Sequence, residues 1–299
     1  MNILLIAGGW SSEREVSLSG AVHIEKALKD LGHRVTRLDP LTEFGQLTQA
    51  ARTHDFAFLN LHGSPGEDGL IQSILELAGC PYQGSGPRAS FLALNKAASK
   101  QIFRAGGLET ADWELLVKRP APGWTPAFGL PVFLKPNTTG SSVGISFTRT
   151  IDQIPAALDA AFACDREVLA EPALAGVEVT CAVLGGETLP PILIRPKARD
   201  FFDYQSKYEK DAAEELCPAP LPAHITQAVG QAALAAHELL GLSGYSRADF
   251  ILVGETPVLL EVNTLPGMTA TSLLPRAARA VGLDYTALVA RLVELGAAR

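Results

Sequence analysis

Little in this chain points to cross-linking. Its four cysteines, Cys80, Cys164, Cys181 and Cys217, stand far apart and form no C-x-x-C pair. That excludes a zinc knuckle and a disulfide framework, and it leaves them as reduced, mostly buried thiols. No apolar run approaches the roughly 18 residues of a membrane span. The opening Met1-Asn2-Ile3-Leu4-Leu5-Ile6 meets Gly8-Gly9 too soon for a signal peptide and has no cationic start, so a cytoplasmic protein is expected. Basic runs are missing as well. With a net charge of −7, the chain has no electrostatic footprint for nucleic acid or for an anionic membrane surface. The pattern G-x-x-x-x-G-K-[ST] is also absent, which argues against a P-loop NTPase.

What is present is the composition of a well-packed soluble chain: 47% apolar and 19% charged residues, intermixed rather than blocked. A length of 299 residues suggests two or three modules, and the texture favours three, at 1–89, 90–176 and 177–299. The apolar run at 3–7, a helical pattern from Glu13 to Leu31, strands at 33–38 and 55–61 and a helix at 69–78 alternate as in a doubly wound parallel α/β sheet. In such a sheet ligand loops gather at the carboxyl ends of the strands, which places Gly8-Gly9 and His62-Gly63 at one rim. From residue 90 the pattern becomes α+β, with a helix at 90–105 and two short strands flanking Thr138 to Gly144. Strands at 179–183 and 191–196 follow, then a polar stretch from Lys197 to Pro222, a helix at 225–240, and a hairpin of 246–253 with 258–263.

Residues two apart on a strand share a face, so Glu261 and Asn263 project together and Asp249 on the partner strand can face them. Two carboxylates and an amide oxygen make a hard all-oxygen site suited to magnesium; the competing reading is a pair of solvated acids on an exposed face. Lys135-Pro136-Asn137-Thr138-Thr139-Gly140-Ser141-Ser142-Val143-Gly144 can close backbone N–H groups on a phosphate, or be a ligand-free glycine turn. Ser12-Glu13-Arg14-Glu15 reads as a capping box with Ser12 as the cap and Glu15 reaching back. Glu13 is then either a solvated acid at the helix start or a carboxylate for a substrate ammonium at the rim. His62 to Gly69 reads as a turn in which Glu67 and Asp68 favour the helix start, or as a ligand-contacting loop. Lys207-Tyr208 falls in a stretch that is either a surface loop or a lid.

Taken in order along the chain, four segments resemble the D-alanine-D-alanine ligases of the ATP-grasp superfamily. They are Ser12-Glu13-Arg14-Glu15-Val16-Ser17, His62-Gly63 through Gly69-Leu70-Ile71-Gln72, Lys135-Pro136 with Gly140-Ser141-Ser142-Val143-Gly144, and Glu261-Val262-Asn263-Thr264-Leu265-Pro266-Gly267-Met268-Thr269. The resemblance implies an ATP-grasp architecture with ATP between the central and carboxyl-terminal modules. Lys96, Lys135, Ser142 and Lys207 would contact ATP, with Glu171 and Glu178 near its adenine and ribose. Magnesium or manganese, as two ions, would be held by Asp249, Glu261 and Asn263. Glu13 would meet the ammonium of the first amino acid through a link completed by Ser141 and Tyr208. His62 and Ser272 would contact substrate, Ser272 at the second carboxylate, while Arg247 and the Gly267 backbone face the reacting carboxyl. A homodimer through the amino-terminal module is implied too.

The implied reaction converts one D-alanine to an acyl phosphate and lets a second attack it, giving D-alanyl-D-alanine for peptidoglycan precursors. An acyl phosphate must be kept from water, so Lys197 to Pro218 is expected to close as a lid. One departure from many relatives is Phe202 in Phe202-Asp203-Tyr204, where they carry a tyrosine. In this family Tyr208 accompanies dipeptide rather than ester formation. Two rivals remain: an ATP-grasp ligase joining another pair, such as D-alanine with D-lactate, and an ATP-binding regulator without catalysis.

Overall fold

Four apolar side chains in succession, Ile3 to Ile6, can be satisfied only by a strand covered on both faces, and all four are fully buried. The computed structural model describes residues 1–140, 143–196 and 213–298. In it, β1 (Asn2–Ala7) is the central strand of a parallel sheet between β2 (Arg34–Leu38) and β3 (Phe56–Asn60). Parallel neighbours require crossovers. The helix Arg14–Asp30 makes the first, and two short helices within 40–52 lie in the second.

The capping box does not form. Glu13, not Ser12, occupies the cap position and makes no side-chain cap. Ser11 takes the local role, its Oγ accepting from the Glu13 N–H at 3.2 Å and its carbonyl from the Arg14 N–H at 3.2 Å. The chain leaves Gly8 and Gly9 with positive φ, 94° and 78°, and needs that extra turn before helix can start. Ser17, one turn in, then locks the rim: its Oγ accepts from the Gly8 N–H at 2.7 Å and donates to the Asn60 carbonyl.

The expected helix at 90–105 is two helices, Pro87–Leu94 and Lys96–Ala105. Asn95 between them is extended, and its side chain accepts from the Ala98 N–H as a cap, so Lys96 begins a new helix rather than continuing an old one. Beyond it, β4 (Glu114–Leu116), β5 (Val132–Pro136), β6 (Ser146–Thr148) and β7 (Val168–Pro172) form an antiparallel sheet ordered β4-β7-β5-β6. The helix Ile154–Cys164 buries Ile154, Ala157, Leu158 and Ala161 against it.

The third sheet runs β11-β10-β8-β12-β13, from β8 (Val177–Leu184), β9 (Glu187–Thr188, paired with β8 alone), β10 (Ile192–Pro196), β11 (Ala213–Leu216), β12 (Tyr245–Val253) and β13 (Thr256–Asn263). β11 falls within the stretch expected to be a loop and lid; it pairs antiparallel with β10 instead. Arg276 tethers it, with Nη2 2.9 Å from Glu215 Oε2. The rest of the expected lid, 197–212, lies outside the described residues.

The final helix, Tyr285–Ala297, returns to the first sheet: Leu288, Val289, Leu292 and Val293 share one apolar core with Ile3 to Ile6. Among the described residues no helix is long and apolar enough to cross a membrane. All four cysteines are free, but only Cys80 and Cys181 are buried; Cys217 is half-buried and Cys164 is exposed, a correction to the expected set of mostly buried thiols. Burial pushes the Cys181 thiol up to about 12, so it is an inert core side chain.

Candidate functional site

The β12–β13 hairpin sets the charged face. Asp249 pairs across the ladder with Glu261 and Arg247 with Asn263, so all four side chains project to one side. A bulge after Asp249 leaves Leu260 as the extra residue, and Leu259 pairs with Phe250 on the opposite, buried face. Without that bulge, alternation would place Leu259 on the same side as Glu261. The competing reading of two solvated acids fails for Asp249, which is 6% exposed. Its carboxylate accepts from Arg247 Nε at 2.9 Å, Arg247 Nη2 at 2.8 Å, Thr180 Oγ1 at 2.6 Å and Asn263 Nδ2 at 3.0 Å. Among the described residues no group of three His, Cys, Asp or Glu side chains is placed to hold a metal ion, so a metal here depends on the Asn263 amide beside the two acids.

Lysines approach this face from the helix Lys96–Ala105 and from β5. Lys96 Nζ stands 3.3 Å from Glu261 Oε2 and donates to the Thr139 carbonyl at 2.7 Å, joining the glycine-rich loop to the hairpin. Asn137 fixes the loop's root: its carbonyl accepts from the Lys96 N–H at 3.0 Å and its Oδ1 from the Ala97 N–H at 2.9 Å. Thr138 donates through its backbone and its hydroxyl to Asp165 Oδ2, at 2.6 and 2.7 Å. The loop then swings toward the parallel sheet, where a Cβ on Gly140 would meet Glu13 Oε2 at 3.4 Å. Glu13 itself is 9% exposed, so it is not a solvated helix-start acid.

Glu171 lies beneath, between Lys135 and Lys100. It ion-pairs with Lys135 and with Lys100 Nζ at 2.5 Å, and is 3% exposed. Burial pushes its carboxyl up, but the two ammonium groups outweigh that and hold it below the ordinary range. Lys100 also donates to Thr110 Oγ1 at 2.7 Å, and Thr110 donates onward to the Leu259 carbonyl at 2.8 Å, which ties this cluster to β13. Glu178 on β8 pairs with Ile251 of β12, two residues along from the Thr180–Asp249 pair, so it shares their face.

The remaining expected residues gather at the sheet rim. His62 Nδ1 is 3.1 Å from the Leu265 carbonyl, and Glu67 accepts from the Gly63 N–H at 2.8 Å and the Leu265 N–H at 3.2 Å. Glu67 therefore does not serve the helix start as expected; Asp68 alone does, accepting from the Leu70 N–H at 2.9 Å. Ser272 Oγ accepts from the Thr269 N–H at 3.0 Å and lies 3.0 Å from where a Cβ on Gly267 would stand. Ser141, Ser142, Lys207 and Tyr208 lie outside the described residues, as does Phe202.

Lys100 and Thr180 were missed in the sequence, and Glu67 was read there as a helix-start acid. Lys100 could have been found, since it is one helical turn from Lys96 on the same face. Thr180 and Glu67 carried no signal, because their partners are 69 and 198 residues away.

Comparison with known proteins converges on one family. The model described as "D-ala D-ala ligase N-terminus" matches residues 39–85, and that described as "D-ala D-ala ligase C-terminus" matches residues 102–294. The chain is 61% identical over 297 residues to the D-alanine–D-alanine ligase of Nitratidesulfovibrio vulgaris (strain DP4), covering 99% of this chain and 98% of that one. It is 58% identical over 299 residues to the Oleidesulfovibrio alaskensis protein of the same name, covering 100% and 97%. Its fold matches the Bacillus anthracis D-alanine–D-alanine ligase complexed with ATP with a TM-score of 0.88 at 36% identity, covering 99% and 97%. It also matches the VanG D-Ala:D-Ser ligase from Enterococcus faecalis, with a TM-score of 0.83 at 28% identity and 98% coverage of each chain. The Arg–Asp pair of β12, the two further oxygen donors of β13 and the lysine that reaches them are thus carried on a backbone shared across these enzymes, and the chain belongs to the D-alanine–D-alanine ligase family.

Proposed function

We propose that this protein joins two D-alanine molecules at the expense of ATP, through an acyl phosphate, and so supplies a peptidoglycan precursor. The observation that carries the reading is the charged face of the β12–β13 hairpin with Lys96 3.3 Å from Glu261. A carboxylate is a poor electrophile, and amide formation in water is uphill unless coupled to phosphoryl transfer. Lys96 and Lys135 offset the phosphate charge that grows during that transfer, and Glu171 holds Lys135 in place from below. Glu13 receives the ammonium of the first amino acid beside Gly140, in the link with Ser141 and Tyr208. Attack by the second amino group gives a tetrahedral oxyanion, stabilised by the Arg247 guanidinium and the Gly267 N–H from fixed positions. Arg247 is suited to this because Asp249 holds it rigidly by two hydrogen bonds. His62 and Ser272 contact substrate, Ser272 at the second carboxylate; Ser142 and Lys207, with Glu171 and Glu178 near the adenine and ribose, complete the ATP contacts.

The oxygen donors Asp249, Glu261 and Asn263 fit magnesium or manganese, as two ions, which would neutralise phosphate charge there. A division into 1–89, 90–176 and 177–299 is supported by the three sheets, each of which falls within one of these ranges. A cytoplasmic homodimer joined through the first module completes the reading. A ligase of another pair is less favoured, since the match to the D-Ala:D-Ser ligase is at 28% identity against 61% for the D-alanine–D-alanine ligase of Nitratidesulfovibrio vulgaris, and the non-catalytic regulator is not favoured either.

The test is phosphate release from ATP and magnesium with D-alanine, with L-alanine, and with D-alanine plus D-lactate, using Glu261→Ala as the blank. Release that requires D-alanine and disappears in the variant is expected. Release only with another pair would move the substrate assignment, and no release at all would overturn the reading.

A further inference from the structure

Leu265 is held from both sides of its own peptide unit by one loop of the parallel sheet. Its N–H donates to Glu67 Oε1 at 3.2 Å, and its carbonyl accepts from His62 Nδ1 at 3.1 Å. A carbonyl only accepts, so His62 carries its proton on Nδ1. The second oxygen of Glu67 accepts from the Gly63 N–H at 2.8 Å, which makes the carboxylate a two-ended brace between residues 63 and 265. The brace is buried, Glu67 being 8% and His62 7% exposed. Three residues on, the Met268 carbonyl accepts from Tyr285 Oη at 2.7 Å. The side chains of Leu265 and Met268 are themselves part of the apolar core around β1. Pro266 and Gly267, between these two anchors, have little freedom left, and Ser272 Oγ stands directly against Gly267.

We infer that Glu67 is a positioning residue for the second amino acid, fixing the Leu265–Gly267 backbone so that Ser272 meets the incoming substrate in register with the Gly267 N–H that receives the oxyanion formed by its attack. The inference rests on the proposed ligation and goes further by assigning to the amino-terminal loop the alignment of a subsite built from the carboxyl-terminal one. Glu67 does not touch substrate. It acts through the Leu265 amide, and a carboxylate is required because one group must accept two N–H donors that diverge. A glutamine in its place keeps the length and one acceptor but turns an N–H toward the other donor. Misplacing an oxyanion donor or a carboxylate contact by a fraction of an ångström costs the bond it makes.

The experiment is steady-state kinetics of Glu67→Gln beside the unaltered enzyme, with the D-alanine dependence fitted to two successive binding steps and the ATP dependence measured separately. The expected result is a rise of about tenfold or more in KM for the second D-alanine together with a fall in kcat, with KM for the first D-alanine and for ATP within about twofold. A merely structural role would raise all three together or lower only the yield of folded protein, and either a uniform rise or an unchanged second-site KM overturns the inference. Should Glu67→Gln not fold, Glu67→Asp keeps the charge but is one methylene too short to span both amides, and it must show the same selective rise. Absence of D-alanine-dependent phosphate release in the unaltered enzyme would remove the ligation reading and this inference together, whereas a uniform rise removes the inference alone.

Discussion

Arg247 and Asp249, two residues apart on β12, form a forked ion pair, with Nε 2.9 Å from Oδ1 and Nη2 2.8 Å from Oδ2. Both are largely buried, with side chains 15% and 9% exposed. Such a pair fixes the plane of the guanidinium, which a lysine cannot reproduce. Asp249→Asn keeps the shape but gives the fork one acceptor and one donor. It is expected to lower kcat about a hundredfold or more and to destabilise by about 3 kcal/mol, since the largely buried guanidinium loses its counter-charge. Phosphate release and a thermal melt on the same preparation check both halves.

Thr180 offers a milder lesion at the same place. Its hydroxyl donates to Asp249 Oδ1 at 2.6 Å from the neighbouring strand. Thr180→Val removes that donor without changing shape, and should cost about 1 to 2 kcal/mol in denaturant unfolding with a smaller fall in kcat than Asp249→Asn.

Glu171 makes the stability of the chain depend on pH in a definite direction. Burial raises its carboxyl, the ammonium groups of Lys135 and Lys100 more than offset this, and the folded-state value ends below the unfolded one. A depressed carboxylate contributes stability that is fully present above its unfolded value and is lost as pH falls through its folded one. The difference in unfolding free energy between the unaltered protein and Glu171→Gln should therefore be largest near neutrality and shrink as the pH falls through and below the ordinary glutamate range. Denaturant titrations at a series of pH values measure it; a difference that stays constant would show that the charge on Glu171 is not what stabilises.

Asn95 separates two helices and caps the second, and it also accepts from Asn137 Nδ2 at 3.1 Å. Asn95→Ala is expected to destabilise by about 1 to 2 kcal/mol and to raise KM for ATP, because Lys96 occupies the first position of the helix so capped. Unfolding curves and ATP kinetics together separate the two effects.

Glu13 Oε2 lies 3.4 Å from where a Cβ on Gly140 would stand. On the proposed reading, in which Glu13 meets the ammonium of the first amino acid, Glu13→Gln should lower kcat/KM for D-alanine by about tenfold or more and leave KM for ATP nearly unchanged. Equal effects on both substrates would instead indicate that the glycine-rich loop had shifted.

Much of the architecture was legible because it follows local periodicity. The buried run at 3–7 became β1, the Ala-rich pattern at 225–240 became the helix Ala223–Leu239, and the alternation at 246–263 became the hairpin with Asp249 and Glu261 opposed. Misreadings arose where two local signals competed. Ser12-x-x-Glu15 satisfied a capping pattern, yet the glycine turn before it moved the helix start on by one residue, and the cap fell to a position with no side-chain bond. Asn95, inside the helix expected at 90–105, is a boundary, since its side chain bonds to the backbone three residues ahead. The polar run before Ala213 hid the start of β11, whose pairing with β10 is set by a strand nearly twenty residues earlier.

By itself the sequence determined which residue types the site contains and on which elements they lie, because helix and strand periods are local properties and the four segments occur in a fixed order. Tertiary structure alone decided how those residues are used. Lys100 became a buried partner of Glu171, Thr180 a support for Asp249, and Glu67 a brace for Leu265 rather than a helix-start acid. The physical reason is that a carboxylate's role is fixed by the donors that reach it after burial, and those donors come from chain segments that no local pattern connects.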